Sequence, residues 1–115
     1  MQSAKTVVTL VHGTWATNAA WVEPSSKLSS ELLARLPQPL VTNVFRWSGK
    51  NSASARNSAA ANLAEQLRKL IDANPGARHY VIGHSHGGNV ALKAVGPLIC
   101  LIESVLFVCR HHSFT

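Results

Sequence analysis

Short apolar runs alternate along the chain with longer stretches in which apolar residues are spaced by three or four positions. The short runs are rich in β-branched residues and almost wholly apolar, which is typical of strands buried on both faces of a parallel sheet. The predicted strands are Thr6–Val11, Leu40–Trp47, His79–Ile82 and Ser104–Cys109.

The longer stretches predict helices with one apolar face. These helices are predicted at Pro24–Leu36, at about Ser58–Ala73, and from just after Ser85 to about Val95. Pro37 ends the first helix, and the turn Asn74–Gly76 ends the second.

The order of these elements predicts the fold class. Strands separated by helical crossovers form a parallel sheet that is covered by helices on both faces. We therefore expect an α/β protein with a three-layer αβα architecture and a mostly parallel sheet. A chain of 115 residues has room for one domain, residues 1–115.

The stretch around Ser85 carries the strongest candidate chemistry. A strand runs into Gly83, and the pattern G-x-S-x-G is completed by Gly87 before a helix-forming run begins. We expect glycine at both positions because a Cβ there would collide with a neighbouring strand or helix. The helix that starts after Ser85 would point its free N–H groups at a reacting oxygen. The alternative is an ordinary strand-turn-helix with an incidental serine.

Composition and charge exclude several other classes. Hydrophobic residues make up 46% of the chain and charged residues 14%, which is typical of a globular domain. The net charge of +6 would allow weak association with phosphates. The basic residues are scattered and are not interleaved with aromatic residues, so we expect a solvated basic surface and no specific binding of nucleic acid.

The cysteines and the apolar runs bear on location. Cys100 and Cys109 are too few for a disulfide framework and are interpreted as thiols of a reducing compartment. Val7–Val11 has no cleavage-site pattern after it. Pro97–Cys109 is interrupted by Glu103 and is too short to span a bilayer. We therefore expect a cytoplasmic protein without a membrane span.

Two motifs together resemble a known family. Val11–Trp15 is followed about seventy residues later by Val81–Gly88, and the pair is similar to the α/β-hydrolase superfamily, particularly its lipase and serine-esterase branches. Trp47–Gly49, with Asn51 and Arg56, resembles a subset of lipase-like hydrolases. The resemblance covers nearly the whole chain.

The resemblance implies a set of roles for residues of this chain. Ser85 would be the nucleophile, and the backbone N–H groups of Thr14 and His86 would form the oxyanion hole, with Trp15 as an alternative to Thr14. His12 would order the loop that carries the first of these donors. The implied reaction is acyl transfer from an ester or thioester, with no cofactor and no metal.

Two tryptophans are candidates for contact with a substrate. Trp15 and Trp47 follow predicted strands at the edge where ligands bind in open α/β sheets, so they could line an apolar pocket. Core positions are the alternative for both. The expected substrate is a small ester or a lipid-like molecule.

The chain departs from the family in its triad. In the family the acid and the histidine follow the serine. Here four of the five acidic residues precede Ser85, and Glu103 lies at the wrong edge of the sheet. His111 and His112 are the positional candidates for the base, with a polar tail as the alternative. We therefore expect an incomplete α/β-hydrolase fold, truncated at its C-terminus and with little or no activity. The alternative is a non-catalytic fragment or binding module; the oligomeric state is not given by the sequence.

Overall fold

Strands and helices alternate along the whole described chain. A computed structural model describes residues 4–13, 22–23, 26–84, 86–96 and the backbone of 105–110. The elements are β1 (Thr6–Val11), α1 (Lys27–Arg35), β2 (Leu40–Phe45), α2 (Ala53–Ala73), β3 (Arg78–His84), α3 (His86–Val95) and β4 (Val105–Arg110). The predicted order of strands and helices is confirmed.

The described strands form one sheet in which every pairing is parallel. Their order is β2-β1-β3-β4, so β1 lies inside the sheet and β2 at its edge. All six residues of β1 are buried, which explains its unbroken apolar and β-branched sequence. In β2, Val41 and Thr42 are exposed, as suits a strand with one free edge.

Helices cover both faces of this sheet. On one face, Val8 and Leu10 of β1 pack with the leucine stripe of α1, formed by Leu28, Leu32 and Leu36. On the other face, the apolar sides of α2 and α3 meet residues of all three strands whose side chains are described. That core cluster contains Val11, Phe45, Val81, Leu63, Leu67, Val90 and Ala94. The predicted three-layer αβα architecture is confirmed.

The helix starts differ from the prediction because serines cap them. The Ser26 hydroxyl accepts a hydrogen bond from the Ser29 N–H at 3.1 Å, so α1 begins at Lys27 and not at Pro24. Ser52 accepts from the Ala55 N–H in the same way, also at 3.1 Å. The predicted start of α2 at Ser58 is therefore wrong, because the polar first turns of this helix resemble a loop in sequence.

Candidate active site

The strands end together at one edge of the sheet. Val11 at the end of β1 is in register with Phe45 of β2 and with Gly83 of β3. His84 at the end of β3 is in register with Arg110 of β4. The segments that follow these four strands therefore start side by side, at the carboxyl edge where open α/β sheets bind ligands.

The turn between β3 and α3 is as tight as the sequence pattern requires. The strand ends at His84 and the helix begins at His86, so a single position separates them. A Cβ on Gly83 would lie 2.6 Å from the Cα of Gly88 and 2.7 Å from the carbonyl oxygen of Gly87. The predicted reason for glycine at position 83 is confirmed: the first turn of the helix folds back onto the end of its own strand.

The first turn of α3 also packs against the end of β1. A Cβ on Gly87 would lie 2.5 Å from the carbonyl oxygen of Val11, and it would overlap with the carbonyl oxygen of His12. The predicted collision at position 87 is confirmed, and the neighbour is the chain just after β1. The loop that follows β1 and the start of α3 are therefore held in direct contact.

A buried pair of rings joins the loop after β1 to the loop after β2. The His12 and Trp47 rings stack with their centroids 5.4 Å apart and an angle of 11° between the planes. The backbone N–H of Trp47 donates to His12 Nε2 at 3.0 Å, and the indole Nε1–H donates to the His12 carbonyl oxygen at 2.9 Å. Because Nε2 accepts, Nδ1 carries the proton, and Nδ1 donates to the Gly13 carbonyl oxygen at 2.9 Å.

The structure describes two of the five site residues suggested by the sequence. His86 is the first residue of α3 and is half-buried, and its Nδ1 lies 3.2 Å from Nδ2 of Asn89 on the next turn. Trp47 follows β2 and is 7% exposed. Ser85, Thr14 and Trp15 lie outside the described residues, as do Glu103, His111 and His112.

A cavity of about 280 Å³ opens beside Trp47, between the end of β2 and the first half of α2. Aromatic and alanine side chains form its apolar part, and a guanidinium, hydroxyls and an amide form its polar part. It is lined by Phe45, Arg46, Trp47, Ser48, Ala55, Ser58, Ala59 and Asn62. The sequence reasoning missed the α2 wall, although its small and polar residues recur at the spacing of one helix face.

Arg46 lines the cavity and forms a 2.9 Å ion pair with Glu23. The first turn of α3 contains no acidic residue.

No group of three His, Cys, Asp or Glu side chains within the described residues is arranged to hold a metal ion. Within the same ranges, no helix has the length and apolar character needed to cross a bilayer.

The fold and this edge define a hydrolase-type α/β domain, and comparison with known proteins agrees. The model of the alpha/beta hydrolase family matches residues 10–111. The chain therefore belongs to the alpha/beta hydrolase family, and the resemblance seen in the sequence is confirmed.

A solved structure shows the same fold at low sequence identity. The chain is similar to Trichoderma reesei cutinase, solved in complex with a C11Y4 phosphonate inhibitor, with a TM-score of 0.66 and 16% sequence identity. The match covers 94% of this chain and 62% of the cutinase chain, so this chain spans less than two thirds of that protein. A search of curated protein sequences returned no match.

Proposed function

We propose that this chain is a serine hydrolase of carboxylic esters in which Ser85 is the nucleophile. The observation that carries the proposal is the single-residue turn between His84 and His86, with glycine enforced on both sides of it. A turn of this kind lifts a serine hydroxyl off the end of its strand and sets it at a helix N-terminus. Position 85 is the one position between β3 and α3, and its residue is serine.

The start of α3 supports an oxyanion hole at the same place. His86 is the first residue of the helix, so its N–H is one of those without a partner inside the helix. No carboxylate in the first turn opposes the positive end of the helix. We propose the His86 amide as one donor and the Thr14 amide as the other, because Gly87 packs against the chain two residues before Thr14.

The proposed reaction proceeds through a covalent acyl-enzyme. Ser85 Oγ bonds to the ester carbonyl carbon while its hydroxyl proton passes to solvent water, and the two amides bind the negative oxygen that forms. When the carbonyl re-forms, the bond to the alcohol oxygen breaks, and the alcohol departs after taking a proton from water. Water then attacks the acyl group, which releases the acid and restores the serine.

The substrate class rests on the apolar space near this edge. The cavity beside Trp47, at about 280 Å³, lies just below the usual volume range of small-ligand sites and combines apolar with polar lining residues. We propose that it holds the acyl or alcohol part of a small or lipid-like ester, with Trp47 and Trp15 as apolar contacts. The cutinase likeness supports an ester substrate, and the phosphonate bound by that cutinase suggests the class of probe to use.

Slow turnover is part of the proposal. Fast turnover needs a histidine base oriented by a carboxylate. The described carboxylates are Glu23, Glu31, Glu65 and Asp72, and all of them precede Ser85 in the chain, whereas the acid of the family follows the serine. The second candidate, a binding module that holds esters without cleaving them, is favoured by this order and by the cavity.

A fluorophosphonate probe tests the proposal directly. Attack by Ser85 Oγ forms an oxygen–phosphorus bond and expels fluoride, while the hydroxyl proton passes to solvent. We expect wild type to be labelled at Ser85, located by peptide mass spectrometry, and Ser85→Ala to be unlabelled. Ser30→Ala, an exposed serine of α1 on the other face of the sheet, is the matched control and should label like wild type.

This labelling experiment, together with a measurement of ester binding, separates the two candidate functions. Equal labelling of wild type and Ser85→Ala would overturn the assignment of the nucleophile. Saturable binding of an aryl ester by an unlabelled wild type would favour the binding module.

A further inference from the structure

The cavity beside Trp47 combines apolar side chains with neutral hydrogen-bonding groups. Its apolar lining comes from Phe45, Trp47 and two alanines of α2. The same helix contributes the Ser58 hydroxyl and the Asn62 amide. These two residues are four positions apart, so they are neighbours on one face of α2. The helix wall of the cavity therefore offers hydrogen bonds as well as apolar contact.

Asn62 differs from the other described asparagines in its side-chain contacts. Within the described residues, neither the Asn62 amide nor the Ser58 hydroxyl has a hydrogen-bond partner. Asparagine is also a poor residue for the interior of a helix such as α2. Five other side-chain amides do form hydrogen bonds: Asn43 with Gln66, Asn51 with Arg56, Asn57 with Lys93, Asn74 with Ala4 and Leu70, and Asn89 with His86.

These polar groups decide which part of an ester suits the cavity. A hydrocarbon chain in this space would exclude water from the Asn62 amide and the Ser58 hydroxyl without replacing its hydrogen bonds. Such unpaired polar groups lower affinity. The hydroxyl groups of an alcohol replace those bonds, because each of them both donates and accepts.

Size and charge narrow the ligand further. At about 280 Å³ the cavity is smaller than most sites for drug-sized ligands, so it has room for a single ring or a short chain. Arg46 is the one charged residue of the lining, and it is paired with Glu23. A neutral ligand therefore fits the cavity better than a charged one.

We infer that the cavity binds the alcohol part of the ester, and that this alcohol is a neutral polyol such as a single sugar ring. Asn62 and Ser58 form hydrogen bonds with its hydroxyls, while Phe45 and Trp47 contact its carbon atoms. Asn62 is the residue that selects the polyol over an apolar group of the same size. The inference rests on the proposed function, because it assigns one part of the ester to this cavity.

The test compares methyl glucoside with cyclohexylmethanol, a ring compound of similar size that has no hydroxyl on its ring. Each is titrated into the wild-type protein and followed through the asparagine side-chain signals in nitrogen-15 NMR. We expect methyl glucoside to shift the Asn62 amide signal and, over the same concentrations, to slow fluorophosphonate labelling of Ser85. Cyclohexylmethanol should bind about tenfold more weakly. Tighter binding of cyclohexylmethanol would overturn the inference.

Two asparagines of α2 provide matched variants. Asn62→Leu removes the amide from the cavity, and Asn57→Leu makes the same change at an exposed position that bonds to Lys93 of α3. In Asn62→Leu, we expect affinity for methyl glucoside to fall about tenfold and affinity for cyclohexylmethanol to rise about threefold. Asn57→Leu should bind both compounds as wild type does.

The opposite shifts separate selection by Asn62 from a structural effect of the substitution. A distorted cavity would lose affinity for both compounds, and that result would overturn the role of Asn62. Unchanged affinity for methyl glucoside in Asn62→Leu would overturn it as well. Asn62 is exposed, so we expect the variant to keep the wild-type melting temperature.

Failure of the inference differs from failure of the proposed function. Labelling of Ser85 that methyl glucoside does not slow would overturn the inference alone. Methyl glucoside bound at Asn62 in a protein that fluorophosphonate does not label would overturn the proposed nucleophile and keep the polyol site.

Discussion

Gly87 packs against the main-chain carbonyl of His12 so closely that a methyl group on its Cα would overlap with that oxygen. The atoms that a Cβ on Gly87 would meet, the carbonyl oxygens of His12 and Val11, belong to the backbone. Backbone packed between a sheet and a helix cannot shift without a substantial loss of folding free energy. This contact joins the two segments that carry the proposed oxyanion donors.

Gly87→Ala is therefore expected to destabilise the fold by about 3 kcal/mol, through overpacking of backbone against backbone. Urea unfolding followed by circular dichroism measures the change. Gly96→Ala is the matched control, because a Cβ at Gly96 meets none of the described atoms within 4 Å, and it should stay within about 0.5 kcal/mol of wild type. Similar stabilities for the two variants would contradict the close contact.

The two helix layers predict that substitution of leucine by alanine lowers stability strongly at one position and hardly at another. Leu63 of α2 is 0% exposed and lies in the core between α2, α3 and the sheet, whereas Leu33 of α1 is 57% exposed. Leu63→Ala should lower the free energy of unfolding by about 3 kcal/mol, since it loses buried surface and leaves a cavity. Leu33→Ala should change it by less than about 0.5 kcal/mol. Equal midpoints in urea would show that the described layers are wrong.

The sequence was informative wherever the structure is determined locally. The spacing of the leucines in α1, the β-branched run of β1 and the glycines at 83 and 87 all predicted what the structure shows. The start of α2 was missed because its first turns are exposed and polar, so that the Ser52 cap resembles part of a loop.

The contacts between segments could not be predicted in the same way. Trp47 and His12 are 35 residues apart, and they meet because Val11 and Phe45 end β1 and β2 in register. Register between parallel strands follows from packing of the whole sheet, which no short motif encodes. The sequence left open whether Trp47 lines a pocket or lies in the core. Its hydrogen bonds to His12 depend on the tertiary fold, so the sequence did not predict them.

His79 predicts how stability depends on pH. It is 4% exposed within β3, and burial lowers the pKa of its imidazole from the ordinary value of 6.5. Among the described residues, its Nδ1 has no hydrogen-bond partner. The folded protein thus holds His79 neutral at a pH where the unfolded chain is already protonated.

The neutral His79 therefore contributes fully to the free energy of unfolding above about pH 6.5. This contribution is lost as the pH falls from there toward the lowered pKa of the folded state. Urea midpoints measured between pH 7.5 and pH 5 should fall with acidification, and the slope should be shallower in His79→Leu. Tyr80→Phe, which changes the opposite face of the same strand, should keep the wild-type slope. An unchanged slope in His79→Leu would exclude His79 as the source.

The side chain of Asn74 links the C-terminal end of α2 to the chain just before β1 through two hydrogen bonds. Its side-chain oxygen accepts a hydrogen bond from the buried backbone N–H of Ala4 at 2.9 Å, and its side-chain nitrogen donates to the Leu70 carbonyl at 3.0 Å. Asn74→Leu would leave the Ala4 N–H buried without an acceptor, which costs about 1–3 kcal/mol. Asn74→Asp keeps the acceptor for Ala4 and should lose less stability than the leucine variant.

In hydrogen exchange, the Ala4 amide should lose protection in Asn74→Leu and keep most of it in Asn74→Asp. Equal protection in the two variants would mean that the side-chain oxygen does not hold the N-terminal end of β1.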